Sequence, residues 1–277
     1  MKTMKLTKKF VAAIGLCALS ACMLVTSTFA WFSMNETVTA TGMKVMAKGD
    51  QIYLQIIEQS GTFEDGAKQI EAAATIYNGY SVGGEEKQIK LLPTSVRKNT
   101  GTLDVNALAA YDGTTIPGWV NAIGKDVNDG DADGDYTDVT SDANTNNGKY
   151  FLKNTFKIRL DPTAGATQAK AALKVSSVTM SASVASLEFT KSLRVLVVST
   201  IGGTVKGDLW SNTTGTFEHD ASKVLSADPF NITSAAAPAV VDIYVFFDGD
   251  DETCTLANLA KALEAIYTID VNFTCAA

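Results

Sequence analysis

A period of two in apolar and polar residues from 150 to 160 limits most how this chain can fold. The segment reads YFLKNTFKIRL, so that one side of an extended strand is mainly apolar and the other mainly polar. This period of two is typical of a strand in an antiparallel sheet with one buried face. The apolar positions are Tyr150, Leu152, Phe156, Ile158 and Leu160, and the polar positions are Lys153, Thr155, Lys157 and Arg159.

Other segments repeat this β signal and set the fold class. Residues 173–180, 186–199, 239–247 and 267–275 are rich in strand formers. Within the second of them, Leu193 and the four residues from Val195 to Val198 are apolar on both faces. Residues 37–47 and 51–57 flank a Lys-Gly-Asp turn and predict a first hairpin. We expect a mainly β protein, an antiparallel β-sandwich or jelly roll with a few short helices and a long acidic loop.

The weaker segments are assigned by local pattern. Residues 67–74, 103–111 and 255–265 predict short helices, the last from apolar residues at helical spacing. Residues 88–92 predict a strand stopped by Pro93. Residues 204–237 contain many polar and turn-forming residues, which indicates an excursion between strands.

The N-terminus has the pattern of an export leader. Four lysines precede an uncharged run from Phe10 to Phe32, which is also long enough to cross a bilayer as a helix. The sequence is compatible with three ways of processing this leader. Small residues at Thr28 and Ala30 favour cleavage between Ala30 and Trp31, Leu-Ser-Ala-Cys22 resembles a lipidation site, and the run could be retained as an anchor.

The junction at residues 30–33, Ala-Trp-Phe-Ser, followed by a Thr-rich stretch through Gly42, resembles one family. It is similar to the SipW-dependent signal peptides of TasA and camelysin-like surface proteins of Gram-positive bacteria. The resemblance covers roughly residues 10–47. It implies a β-sandwich or jelly roll that builds extracellular fibres of a biofilm matrix.

Charge limits the partners and the domain organisation. Removing residues 1–30 removes four lysines and no acidic residue, which changes the net charge from −7 to −11. An acidic exported protein of this kind is a poor partner for nucleic acid. We expect a signal peptide at 1–30 and a single β-sandwich domain at 31–277, with an acidic insertion at about 112–148.

One stretch has the pattern of a metal site. Asp129, Asp131 and Asp133 followed by Gly134 match the opening of an EF-hand-type loop, and calcium prefers such oxygen ligands. Thr140 stands where that loop places a bidentate Glu, so another carboxylate would have to complete the shell. The alternative is a solvated acidic loop. The predicted calcium ligands are Asp129, Asp131, Asp133, Asp135 and Asp138.

The cysteines suggest a disulfide. Cys17 and Cys22 lie in the leader, which leaves Cys254 and Cys275 as an even pair in an exported chain. We expect the two to form a disulfide, with buried free thiols as the alternative. Closing this loop would stabilise the fold by roughly 3 kcal/mol in the chain-entropy model.

Catalytic patterns are weak. His219 is the one histidine, no HExxH is present, and the acidic turn at 248–252 is more typical of a solvated loop than of a glycosidase pair.

We therefore expect a secreted, cell-surface, non-enzymatic fibre subunit. Its partners would be copies of itself or related subunits, and signal peptidase during export. It would assemble by β-strand addition through Trp31 to Ala47. Two alternatives remain: this stretch is simply the first strand of its own sandwich, or the protein is a lipoprotein binding module anchored at Cys22, with a glycan or other surface ligand.

Overall fold

The fold is taken from a computed structural model of the chain. By internal contacts the chain divides into Met1–Val38 and Thr39–Ala277, and all described residues lie in the second unit. The structure describes residues 43–48, 54–65, 69, 71–73, 80–82, 84–87, 91–99, 101, 103, 109–121, 136–161, 171–182, 190–212, 216–219, 230–232, 238–255 and 267–276.

The described residues form sixteen strands and one short α-helix. The helix α1 spans Thr140–Thr145. The strands are β1 Met43–Lys48, β2 Leu54–Glu58, β3 Glu71–Ala73, β4 Tyr80–Val82, β5 Glu85–Lys87, β6 Thr94–Lys98, β7 Pro117–Asn121, β8 Thr137–Asp138, β9 Phe151–Leu160, β10 Ala171–Ala182, β11 Leu193–Ile201, β12 Thr204–Asn212, β13 Phe217–His219, β14 Phe230–Ile232, β15 Ala239–Phe247 and β16 Tyr267–Ala276.

Two sheets enclose the main core. The five-stranded sheet has the order β14-β10-β16-β1-β3, and the six-stranded sheet has the order β13-β12-β11-β15-β9-β2. Every pairing within them is antiparallel except β1 with β16. Alternate residues of both sheets face each other in one continuous core, which includes Ile158, Val195, Ile243, Val271 and Phe273.

A third layer covers part of the outer face of the six-stranded sheet. It is the small sheet β6-β7-β8 with α1 beside it. Trp119 of β7 is fully buried there, and its ring lies 4.6–5.4 Å from those of Phe151, Tyr244 and Phe246. The second core explains why β11 is apolar on both faces: Leu196 and Val198 face this layer, while Val195 and Val197 face the first core.

At two places in the fold the backbone geometry requires glycine. Gly202 and Gly203 form the two-residue turn between β11 and β12 with φ of 56° and 84°, the left-handed region that a type I′ hairpin requires. Gly207 lies under the ring of Tyr111, and a Cβ there would stand 2.2 Å from the tyrosine oxygen. Gly207 therefore allows the loop before β7 to lie directly on β12.

The fold class predicted from sequence is confirmed, and so are its best-patterned strands. The structure is mainly β with antiparallel sheets and very little helix. In β9 the alternation is as predicted, with Phe156 and Ile158 buried and Lys157 half-buried. Strands β10, β15 and β16 occupy the predicted segments within a few residues. The segment predicted at 186–199 contains β11, but residues 190–192 are not in a strand and β11 begins at Leu193.

The predicted first hairpin is wrong. Strands β1 and β2 belong to different sheets, because β1 pairs with β16 and β3 while β2 pairs with β9. A Lys-Gly-Asp signal indicates a change of direction but not the partner of each strand. Here the chain passes from one sheet of the sandwich to the other.

Three local predictions are also corrected. Part of the expected helix at 67–74 is the strand β3, because Ala72 is needed in the core beside β1. Residues 91–93 are not in a strand, and β6 begins directly after Pro93. The segment expected as an excursion at 204–237 contains the nine-residue strand β12, whose inward positions include the polar Asp208. The expected helices at 103–111 and 255–265 lie mostly outside the described residues.

Candidate functional site

The position of the first described strand in its sheet defines the candidate site. Strand β1 lies between β16 and β3, parallel to β16 and antiparallel to β3. Its register with β16 extends over six residues, from Met43 beside Ile269 to Lys48 beside Thr274, but that with β3 over only three. We call the place that β1 occupies between β16 and β3 the β1 slot.

The β1 slot adjoins the apolar core. In β16, Ile269, Val271 and Phe273 are buried in the main core, as the sequence predicted. Ala72 of β3 is buried on the other side of the slot. Without a strand here, β16 would have an unpaired edge above apolar residues, which is a template for pairing with another chain.

The acidic turn after β15 stabilises the sandwich instead of forming an open site. Asp248 is buried, accepts a hydrogen bond of 2.8 Å from Ser95 and lies 3.5 Å from the guanidinium of Arg194. Arg194 also pairs with Asp251. Burial raises the pKa of Asp251, but hydrogen bonds from Thr253 and the Arg194 pair outweigh it and lower the pKa overall.

The same turn attaches the third layer. Asp250 pairs with Arg97 of β6 and accepts a hydrogen bond of 2.8 Å from Tyr136 just before β8. The guanidinium of Arg97 lies 5.4 Å from the centre of the Tyr136 ring. Thus Asp248, Asp250 and Asp251 of the acidic turn are held by arginines and hydroxyl groups, and Asp248 and Asp251 share Arg194.

Most of the predicted calcium ligands lie outside the described residues. This applies to Asp129, Asp131, Asp133 and Asp135. Asp138 is exposed at the end of β8, and its Oδ1 accepts a hydrogen bond of 2.9 Å from the backbone N–H of Thr140 at the start of α1. No cluster of His, Cys, Asp or Glu suited to a metal occurs among the described residues. Calcium at this loop stays a prediction.

The predicted disulfide also stays a prediction. Cys254 has a free thiol in the structure, next to Ser192 and against the main core. The side chain of Cys275 lies outside the described residues. Burial raises the pKa of the Cys254 thiol to about 11, so little of it is the reactive thiolate near neutral pH.

A polar cluster inside the sandwich was not predicted from sequence. Asp208 on β12 and His219 on β13 approach to 2.7 Å, between Oδ1 and Nε2. The alignment is poor, so these two atoms and Trp210 Nε1 are buried without a well-formed hydrogen bond. Burial raises the pKa of Asp208 to about 6, although His219 and Trp210 lower it. The only signal in the sequence was alternation: Asp208 lies two residues from Trp210, which puts both on one face of β12.

The remaining predicted sites lie before the first described residue. Cys22, Ala30 and Trp31 belong to the unit Met1–Val38, and Trp31 to Ala47 is described only from Met43. No helix in the described part of the chain is long and apolar enough to cross a membrane. Comparison with protein-family models, curated proteins and solved structures found no match.

Proposed function

We propose that this protein is a secreted, non-enzymatic structural subunit of an extracellular fibre, which assembles by β-strand addition through its N-terminal segment. The observation that carries the proposal is the β1 slot. The first described strand, β1, lies between β16 and β3, and the next described strand in the chain, β2, belongs to the other sheet.

The structure has β1 in the slot of its own chain, which is the arrangement of an ordinary first strand. A neighbouring copy could supply the same strand, because identical backbone pairing and identical side chains would then fill the slot. Exchange of this kind creates no new type of strand pairing. Where each copy gives its strand to the next one head to tail and the arrangement does not close, it extends into a polymer. The strand pairs with the same energy whether it fills the slot of its own chain or that of a neighbouring copy. The local concentration of neighbouring copies therefore decides which of the two forms.

The acidic turn supports a structural role over a catalytic one. Asp248, Asp250 and Asp251 are engaged with Arg194, Arg97 and hydroxyl groups. Carboxylates held in this way are already occupied by partners in the same chain, whereas a hydrolase pair has to face a substrate. Their role here is to hold the third layer against the six-stranded sheet.

Export and assembly can be tested together. The start of the secreted chain is determined by N-terminal sequencing or intact mass, with Trp31 expected and a lipidated Cys22 favouring the tethered binding module. Electron microscopy and sedimentation then compare the secreted chain, a leader-retaining chain and a chain lacking Trp31 to Ala47. We expect polymers only from the first. Equal polymerisation of the deleted chain would contradict assembly through this segment.

A further inference from the structure

Strand β2 is the last strand of the six-stranded sheet, and its own sequence does little to protect that edge. Residues 51–57 read QIYLQII, with no charge, no proline and no glycine. Native sheet edges are usually protected by lysine, proline or a bulge, or by a covering loop. An uncharged run of strand-forming residues at an open edge is suited to pairing with the same run of a second copy. The protection of β2 therefore has to come from another part of the chain.

Part of the chain after β2 bonds to the free side of this strand. The N–H of Ile56 donates to the carbonyl oxygen of Gln69 at 2.8 Å instead of to β9. Alternate residues of a strand point their backbone groups to the same side, so those of Glu58 also face the free edge. The carbonyl oxygen of Glu58 accepts a hydrogen bond of 2.9 Å from the N–H of Gly61. We call residues 59–65 together with Gln69 the edge strap.

Arg159 of β9 holds the edge strap in place. Its Nε donates to Gln55 Oε1 at 2.7 Å, and its Nη2 donates to Asp65 Oδ1 at 2.7 Å. The guanidinium also lies 4.4 Å from the centre of the Phe63 ring. Gln55 is buried on β2, and its Nε2 donates to the carbonyl oxygen of Glu64 at 2.7 Å. One arginine thus joins β9, β2 and the strap.

Contacts within the strap fix its shape over β2. The side chain of Gln69 accepts a hydrogen bond of 3.0 Å from the N–H of Glu64 and donates to the carbonyl oxygen of Thr62 at 3.1 Å. Gly61 lies so close to β2 that a Cβ there would stand 3.2 Å from the Cβ of Ile57. Ile57 is buried as a result. Opening of the strap would therefore expose both the free backbone groups of β2 and an apolar side chain.

We propose that the edge strap, held by Arg159, prevents β2 from pairing with β2 of a second copy of this chain. Two such edges are self-complementary in antiparallel orientation, because each copy offers the same residues to the other. The proposal concerns the six-stranded sheet and does not depend on strand exchange at the β1 slot. If both proposals hold, the strap leaves the β1 slot as the place where a subunit accepts a second copy.

A single cysteine in the secreted chain reports pairing at this edge. Gln59 is exposed directly after β2, and Gln59→Cys is introduced in a chain in which Cys254 and Cys275 are Ser. A flexible bis-maleimide can then join two copies through residue 59, and mass spectrometry of the linked peptides identifies that link. Because one cysteine cannot be linked to itself, every such link joins two chains.

Removal of the arginine is compared with removal of a neighbouring lysine. Arg159→Gln should give several-fold more linked dimer than the parent, because the strap loses its attachment to β9. Lys157→Gln is the matched control, since Lys157 lies two residues away on the same face of β9 and the change in charge is the same. We expect the control to give as much linked dimer as the parent.

Two further variants separate an open edge from a general loss of structure. Gln69→Ala removes the bonds within the strap without changing β9, and it should also raise the amount of linked dimer. Glu58→Pro blocks the edge, because the N–H of Glu58 faces the free side and its loss removes no bond to β9. Added to Arg159→Gln, Glu58→Pro should return the linked dimer to the level of the parent.

Hydrogen exchange measures the opening of the strap directly. In Arg159→Gln the amide of Ile56 should exchange faster than in the parent, because its acceptor belongs to the strap. The amide of Ile57 faces β9 and should keep its protection, which shows that the sheet itself is intact. Unchanged exchange at Ile56 would show that Arg159 does not hold the strap.

The cross-linking outcomes decide the rest of the proposal. More linked dimer in Arg159→Gln and Gln69→Ala, and its loss on addition of Glu58→Pro, support pairing through β2. If the two opening variants give no more linked dimer than Lys157→Gln, the open edge does not pair with a second copy. Linked dimer that persists with Glu58→Pro would place the association elsewhere. None of these results requires a fibre, so they leave the proposed function to its own test.

Discussion

Val45 and Val271 are neighbours in parallel register, although they lie near opposite ends of the chain. Their strands form the one parallel pair in the two large described sheets. The strand that contains Val45 and its partner β16 are separated by more than two hundred residues of sequence, so their pairing does not depend on a short connection between them. We propose on this ground that a neighbouring copy can supply the same strand.

The first prediction concerns the charge buried at Asp208. Its pKa in the folded protein is raised to about 6, above the ordinary value near 3.8. The folded state therefore retains a proton that the unfolded state loses, and stability should fall as pH rises from about 4 through 6. Asp208→Asn should remove this loss and stabilise the protein at pH 7.5 by on the order of 2 kcal/mol.

Urea unfolding at pH 5 and pH 7.5 measures the effect of Asp208. Glu218→Gln is the control, because Glu218 is an exposed acid on the neighbouring strand β13. If Asp208→Asn keeps the pH dependence of the parent, the carboxylate of Asp208 is not its source.

The second prediction concerns Arg194. This side chain is only 9% exposed, and it neutralises Asp248 and Asp251. Arg194→Met would leave two largely buried carboxylates without their cation, which should cost about 3–5 kcal/mol. Lys98→Met is the control, since the Lys98–Asp112 pair is about one third exposed and should contribute at most about 1 kcal/mol. Equal losses in urea unfolding would show that the Arg194 cluster does not hold the fold.

The strongest elements of the fold could be predicted from the sequence because their pattern is local. The alternation around Phe156 gives the strand, its length and its buried face without any knowledge of its partners. Strand pairing is not local, so nothing around Lys48 indicated that β1 lies beside the last strand. The Arg194 cluster was missed for the same reason, because Arg194 lies on β11 and its partners Asp248 and Asp251 lie in the turn after β15.

The third layer shows a second limit of the sequence. Trp119 lies within the predicted acidic insertion, yet it is the centre of the second core. The many aspartates of that segment made it read as a loop, and the short strand β7 was therefore not predicted. Where polar and apolar residues are mixed over so few positions, only the packing partners Phe151 and Tyr244 reveal which ones are buried.

The third prediction concerns calcium. If the loop that contains Asp131 and Asp133 binds calcium, the ion should raise the melting temperature by an amount that grows with its concentration relative to Kd. The variant Asp131→Asn/Asp133→Asn should lose this response. Asp138 is left unchanged, because its carboxylate accepts the bond from Thr140 and its removal would disturb α1 directly. An equal response in the variant would place calcium elsewhere.

The fourth prediction concerns Cys254 and Cys275. In the folded protein a free Cys254 would also react slowly, because burial raises its pKa to about 11. Resistance to alkylation is therefore informative only in denaturant. If the disulfide forms, neither cysteine should be labelled in denaturant until a reductant is added. Labelling of both without reductant would show that the thiols are free.

The most direct test of strand exchange is an isotope-mixed cross-link. Met46 and Asn272 are register partners in β1 and β16. Both are replaced by Cys in a chain in which Cys254 and Cys275 are Ser, and light and heavy isotope-labelled chains are mixed before assembly. Exchange predicts that disulfide-linked peptides from the sedimented polymer include pairs of one light and one heavy peptide. If polymers form and every linked pair has a single isotope label, β1 remains in its own chain and assembly by strand addition through this segment is wrong.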